Sequence, residues 1–241
     1  MNQRKIVLIG VVFMLAVRIL LADTAERFSA ADTAYRQRGD GARAMEALQL
    51  YRKLYAESPG DPEAGWRLAM ACYFVGFHHT KDRKEKLKLF SEGRDAGLSS
   101  VKYAPGSAAG HFWTAIDMAL YGQTVGAVKM LFTLGTIRKH LEACVEADPA
   151  YACAGGYRIL GAIEENLPGI LGGSRAEARR YYEKAIAVTP DEPVNYLFLA
   201  RLLADDYKDK KNALIIARRG LTVSAPRADN FEAIETIKEL K

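Results

Sequence analysis

From Ala31 to Lys241 apolar side chains recur every three or four residues, and no stretch longer than a few residues alternates as a strand would. The spacing predicts an all-α chain. Whether its helices recur at a fixed period decides between a bundle and a solenoid of stacked hairpins. Ala47, Tyr51, Leu54 and Pro59 are separated by 4, 3 and 5 residues, and Ala178, Tyr182, Ala185 and Pro190 repeat that spacing without a shift. Ile137, Leu141, Cys144 and Pro149 keep it with weaker residue types. Phe90 with Gly93, and Ala213, Ala217, Gly220 and Pro226, give partial copies. The small residue lets two helices approach, the aromatic plugs the gap towards the next pair, and proline stops the helix.

Preceding helices repeat as well. Trp66, Ala69, Met70 and Tyr73 share one spacing with Tyr196, Leu199, Ala200 and Leu203; Tyr157, Leu160 and Gly161 match its first three positions, and Trp113, Ile116 and Leu120 fit less well. Together these are the two helices of a tetratricopeptide repeat. The expected architecture is an irregular tetratricopeptide-like α-α superhelix, with hairpins at about 25–60, 62–98, 105–149, 151–190 and 192–226 and a closing helix at 228–240. Two hairpins exceed the repeat: by about eight residues between Trp113 and Ile137, and by about five between Tyr157 and Ala178. The second excess holds the loop Leu167 to Gly173, whose Ile170 and Leu171 suit bare solvent poorly. The loop is expected to fold onto the concave surface or onto another subunit. A phosphate cradle at Gly169, Gly172 and Gly173 lacks the following Lys-Ser/Thr and the preceding strand.

Residues 1–22 differ from the rest. Arg4 and Lys5 precede an uncharged apolar run, Ile6 to Val17, which has the length of a secretory h-region and is short for a membrane span. Export is expected, either with cleavage before Asp23 or with 1–22 kept as an inner-membrane anchor. The whole chain of 241 residues carries a formal charge of +5, from 34 basic and 29 acidic residues. Arg4, Lys5 and Arg18 belong to the leader, which leaves 31 against 29, or +2, on the body. Nucleic-acid binding thereby loses its electrostatic support. With 49% hydrophobic and 26% charged residues, the composition also excludes a disordered tail and a multispan membrane protein.

Candidate chemistry is sparse. Cys72 and Cys144 lie among apolar helix residues as small buried hydrophobes, although export would permit a Cys144–Cys153 bridge. Asp117 shares a helix face with Trp113 and Tyr121 and needs a partner. Arg158 is expected to pair with it, with a polar contact to a ligand as the alternative. The pair His78-His79 is expected in a solvated loop, His111 at a helix start, and Lys81 to Lys88 as a solvated helix start packing through Leu87 and Phe90. No HExxH, Gly-x-Ser-x-Gly or other catalytic motif is present, so neither an enzyme nor a metal or cofactor is expected.

The segment His111 to Gln123, Asp148-Pro149 followed by Tyr157-Arg158-x-Leu160-Gly161, the loop Leu167-Pro-Gly-x-x-Gly-Gly-Ser174, the helix Ala178 to Ala185 and Asn195 to Ala200 resemble the TatT family, the tetratricopeptide component associated with periplasmic TRAP transporters. The resemblance covers roughly 30–226. It implies a non-enzymatic periplasmic protein around a hydrophobic cavity or pore, associating as a trimer and meeting a solute-binding protein of the transporter. Many members are lipoproteins, and this chain has no amino-terminal acceptor cysteine. An apolar small molecule, such as a hydrophobic organic acid, is the implied ligand. The bulky residues on or beside the enlarged hairpins, Phe112, Trp113, Tyr121, Tyr157, Leu167 and Ile170, are the expected lining. A plain envelope scaffold gripping a protein or peptide in its concave groove is the alternative.

Overall fold

The structure, a computed structural model, describes residues 26–223; the expected leader at 1–22 and closing helix at 228–240 lie outside the described residues. Those described form ten α-helices and no strand: α1 (26–36), α2 (Gly41–Glu57), α3 (Pro62–Phe74), α4 (Arg83–Tyr103), α5 (Ala108–Val125), α6 (Ala127–Ala147), α7 (Tyr151–Asn166), α8 (Arg175–Val188), α9 (Pro193–Asp205) and α10 (Lys210–Thr222). Most starts are written locally. Asp40, Asp61, Asp82, Ser107, Ser174 and Asp209 each accept a hydrogen bond from a backbone N–H of the first turn, and Pro62 and Pro193 occupy first-turn positions where no N–H is needed.

Consecutive helices pair as five antiparallel hairpins, α1/α2 to α9/α10, and α4 runs on to Tyr103, past the boundary expected at 98. Among α2–α10, first helices stack on first helices: α3 packs on α5, α5 touches α7 and α7 touches α9, while no successive second helices pack comparably. A superhelix is concave on its closer-packed side, so α3, α5, α7 and α9 line the inner surface. Three buried clusters run along the stack. Phe28, Leu48, Tyr51, Leu68 and Phe74 anchor the first; Phe112, Ile137, Leu141 and Leu160 the second; Tyr182, Leu199, Leu202 and Leu203 the third.

Most of the helical positions of the second-helix signature are core: Ala47, Tyr51, Ala178, Tyr182, Ala185, Ile137, Leu141 and Cys144 are all fully buried, while Leu54 and Ala217 are half-buried. Register in the first helices differs at α3, where the buried stripe is Gly65, Leu68, Ala69 and Cys72, while Trp66, Met70 and Tyr73 are only half-buried. Counted from Pro62 and Pro193, Tyr196 corresponds to Gly65, one residue before Trp66. In α4 the repeat is carried by Gly93, Gly97, Ser100 and Pro105, so a glycine stands where Tyr51 and Tyr182 stand.

α7 and its loop hold two features that the repeat spacing does not announce. Ala152, Cys153 and Ala154 adopt left-handed φ values of 49, 55 and 59°, which side chains with a Cβ rarely do. Arg158 holds that turn by donating to the carbonyls of Ala152 (3.0 Å) and Cys153 and to Asn195 Oδ1 (2.7 Å). The loop after α7 does not fold back within the chain: it forms a 3-10 turn, Gly169–Leu171, that leaves Ile170 95% exposed. Gly172, at φ 90°, closes it.

Candidate functional site

An aromatic ladder crosses three hairpins on the inner surface. After α3 the chain makes a π-turn, Val75–His79, a wide turn often found at functional positions. It brings Phe77, half exposed at 51%, into a stack with Tyr73 (centroids 5.9 Å apart, planes at 18°). Tyr73 in turn meets Trp113 of α5 at 5.4 Å. The Trp113 indole donates a hydrogen bond to the hydroxyl of Tyr151 at the start of α7 (2.8 Å). Beside this ladder Arg67 lies over the rings of Trp66 (4.1 Å) and Phe28 (4.4 Å) and pairs with Glu63 and, at 3.4 Å, with Asp32 of α1. Burial pushes the Tyr151 phenol well above its ordinary range, so it stays protonated. The ladder therefore offers aromatic faces, a tethered guanidinium and neutral hydroxyl groups, a set suited to apolar and cationic side chains of a peptide.

The six residues expected to line a ligand cavity do not surround one space, although Phe112 and Trp113 touch. Phe112 is core, 5% exposed, with its ring edge against Trp113 and Tyr151. Trp113 belongs to the ladder. Tyr121 lies under the Arg94 guanidinium and Tyr157 under Lys184, beside Tyr181. Ile170 projects outward. Leu167 lines an open groove of about 440 Å³ with Leu131, Leu134, Gly135, Arg138, Leu171 and Gly172. Sequence reasoning missed Tyr73 as a surface group and missed Phe77 and Tyr151 altogether; the run Tyr73-Phe-Val-Gly-Phe-His-His79 was the available signal.

The buried polar groups are structural. Asp117 is fully buried with no hydrogen-bond partner on either oxygen, and it does not pair with Arg158, which is committed to the left-handed turn. It sits against Gly93, and burial together with nearby Glu92 raises its pKa well above the usual carboxylate range. The pair His78-His79 lies in the turn between α3 and α4 as expected: His79 is exposed and reaches the carbonyl of Arg38 in the neighbouring hairpin (2.9 Å), while His78 is half-buried, 4.4 Å from the ring of Phe74. His111, in the first turn of α5, bonds the Pro105 carbonyl through Nε2 and meets His140 Nδ1 to Nδ1 at 2.9 Å. Burial and His111 hold His140 below its ordinary pKa. Lys81 to Lys88 runs into a helix that begins at Arg83, but the residues packed inward are Leu89 and Phe90, with Leu87 only half-buried, and Arg83 caps the end of α5. Cys144 is buried, Cys153 is exposed, and they form no disulfide. Among the described residues no three His, Cys, Asp or Glu side chains are placed to hold a metal ion.

Residues 28–161, more than half of the chain, match the family model for regulator of microtubule dynamics protein 1-3. The chain belongs to this family. A mouse member, regulator of microtubule dynamics protein 1, is 28% identical over 164 residues, 61% of this chain and 52% of the mouse protein. The chain thus spans about half the length of the curated relative it matches. The family match runs from the first hairpin into α7, so it includes the whole aromatic ladder. Among solved structures, TTC0263, a tetratricopeptide protein of Thermus thermophilus, superposes with a TM-score of 0.60 at 22% identity over 87% of this chain and 100% of that one. MamA superposes at 0.50 and 15% identity over 84% of this chain and 95% of its own. These likenesses establish the tetratricopeptide-like fold. The family matched is not TatT, and the TatT resemblance is carried by the sequence motifs alone.

Proposed function

We propose that the protein is a non-enzymatic scaffold that grips a segment of a protein partner on its inner surface. The ladder Phe77, Tyr73, Trp113 and Tyr151 is the observation that carries this reading: aromatic side chains, one of them half exposed, succeed one another across α3, α5 and α7 where a solenoid presents its binding face. Aromatic anchors of this kind dominate binding energies at protein interfaces. The mouse relative's name connects that protein with microtubule dynamics, which makes a cytoskeletal partner one reading. The TatT resemblance supports another, in which residues 1–22 export or anchor the chain and the partner is a solute-binding protein of a TRAP transporter, with an apolar molecule passed between them. Both use the same face.

Selection from a displayed peptide library is expected to yield peptides with apolar anchors that bind the wild type. Phe77→Ala should cost about 2 kcal/mol, roughly thirtyfold in affinity, with helicity unchanged. Peptides that bind Phe77→Ala and Tyr73→Ala as tightly as wild type would overturn the reading. Titration with tubulin and with a TRAP solute-binding protein separates the two partner classes.

A further inference from the structure

In a stack of α-hairpins the turns within hairpins fall on one rim and the turns between hairpins on the other. Contacts run along the first rim in series. His79 of the α3/α4 turn binds the Arg38 carbonyl of the α1/α2 turn; Arg83 at the start of α4 donates to the carbonyls of Thr124 (3.0 Å) and Val125 (3.2 Å) at the end of α5. Leu131 of α6 shares a groove with Leu171 of the α7/α8 turn, and Arg175 pairs with Asp206 of the α9/α10 turn at 3.0 Å.

The two rims have opposite charge. Counted one residue into each flanking helix, the first rim (36–41, 74–83, 125–127, 166–175 and 205–210) holds seven basic residues against five acidic ones, whereas the second (57–62, 103–108, 146–151 and 188–193) holds six acidic and no basic ones. Where the repeat is enlarged, the basic rim is also apolar. Val128, Phe132 and Ile170 stand 69, 83 and 95% exposed, with Leu131 and Leu171 between them. No acid occurs from Met118 to Leu141, while Lys129 and Lys139 flank the apolar tips. The two departures from the repeat period, far apart in sequence, thus meet as one surface that the solenoid itself does not require.

We propose that this rim is a peripheral membrane-contact surface for bilayers carrying anionic lipid. Phe132 and Ile170 enter the headgroup region, the basic turns hold the lipid charges, and the acidic rim is turned to water. Exposed apolar side chains with Lys129 and Lys139 on the same helix match the two components of such a surface, and the acidic charge of the far rim fixes the orientation.

The test uses the full chain with phosphatidylcholine vesicles, with and without about 30 mol% phosphatidylserine. Wild type should bind the anionic vesicles more tightly, and raised salt should weaken that preference. The double variant Phe132→Glu/Ile170→Glu, whose positions are exposed, should lose at least about tenfold in affinity at unchanged helicity. Because residues 1–22 are apolar and can tether the chain by themselves, Ile170→Trp supplies an independent readout: its emission should shift to the blue on anionic vesicles. Unchanged emission from vesicle-bound Ile170→Trp would overturn the proposal. So would a blue shift that depends on protein concentration without vesicles, which would make the occupant a second copy, or one produced by an acidic peptide in preference to lipid.

Discussion

Neighbouring helices meet in two opposite ways in this molecule. At α1/α2 and α7/α8 a tyrosine fills the gap: Tyr51 and Tyr182 are fully buried, and each hydroxyl donates to a carboxylate on the preceding helix, Asp32 at 2.6 Å and Glu165 at 2.5 Å. At α4/α5 the equivalent position is Gly97, which lies against the Oγ1 and Cα of Thr114, while Gly93 lies against the Asp117 carboxyl. One interface is plugged and the other is closed by backbone approach. The glycine interface brings the backbones of α4 and α5 close together, and on the far side of α5 Trp113 meets Tyr73 of α3. α5 is thus held between the glycine face of α4 and the aromatic ladder.

Removing a plug should have the largest effect. Tyr182→Ala is expected to cost about 3–5 kcal/mol, because a buried aromatic leaves a cavity and Glu165 loses its donor; chemical denaturation measures this. Filling the close approach comes next. Gly97→Ala should cost about 1–3 kcal/mol by overpacking against Thr114, and Gly93→Ala a similar amount against Asp117. Asp117→Ala added to Gly93→Ala should recover part of the loss, whereas strict additivity in that cycle would show that the two positions are not coupled.

The buried acid makes the glycine interface pH-sensitive, with a definite sign. The folded-state pKa of Asp117 is raised above its ordinary value of 3.8, so the folded state binds the proton more tightly than the unfolded chain. Its contribution is most favourable below the unfolded pKa and is lost as pH rises towards the folded one. Asp117→Asn should therefore gain in stability relative to wild type as pH is raised above about 4; a difference constant across that range would contradict a protonated Asp117. Smallest of all, Tyr51→Phe should cost about 1 kcal/mol, the contribution of its hydrogen bond to Asp32, with no cavity.

Residue type explains what could be read from the sequence. A buried aromatic beside a small residue and ahead of a proline admits few other settings, so α2 and α8 declared themselves. At α3 Trp66 drew the pattern one residue off, because Gly65 gives no hydrophobic signal although it is the position that packs. In α4 the aromatic signal is Phe90, whereas Gly97, which does the opposite job at the plug's own position, carries no hydrophobic signal. Arg158 looked like a partner for Asp117 because nothing in Ala152-Cys-Ala154, which has no glycine, signals a left-handed turn that needs its donors. The enlarged hairpins carry conspicuous bulky residues, yet the ladder begins at a π-turn that hydrophobic spacing cannot distinguish from an ordinary helix end.

Hydrogen exchange of the full chain with and without a selected peptide tests the inner-surface claim most directly. Protection concentrated in Tyr73 to His79, α5 and the start of α7 is the predicted result. Protection confined to the second helices α4, α6 and α8, with those inner segments unchanged, would contradict it.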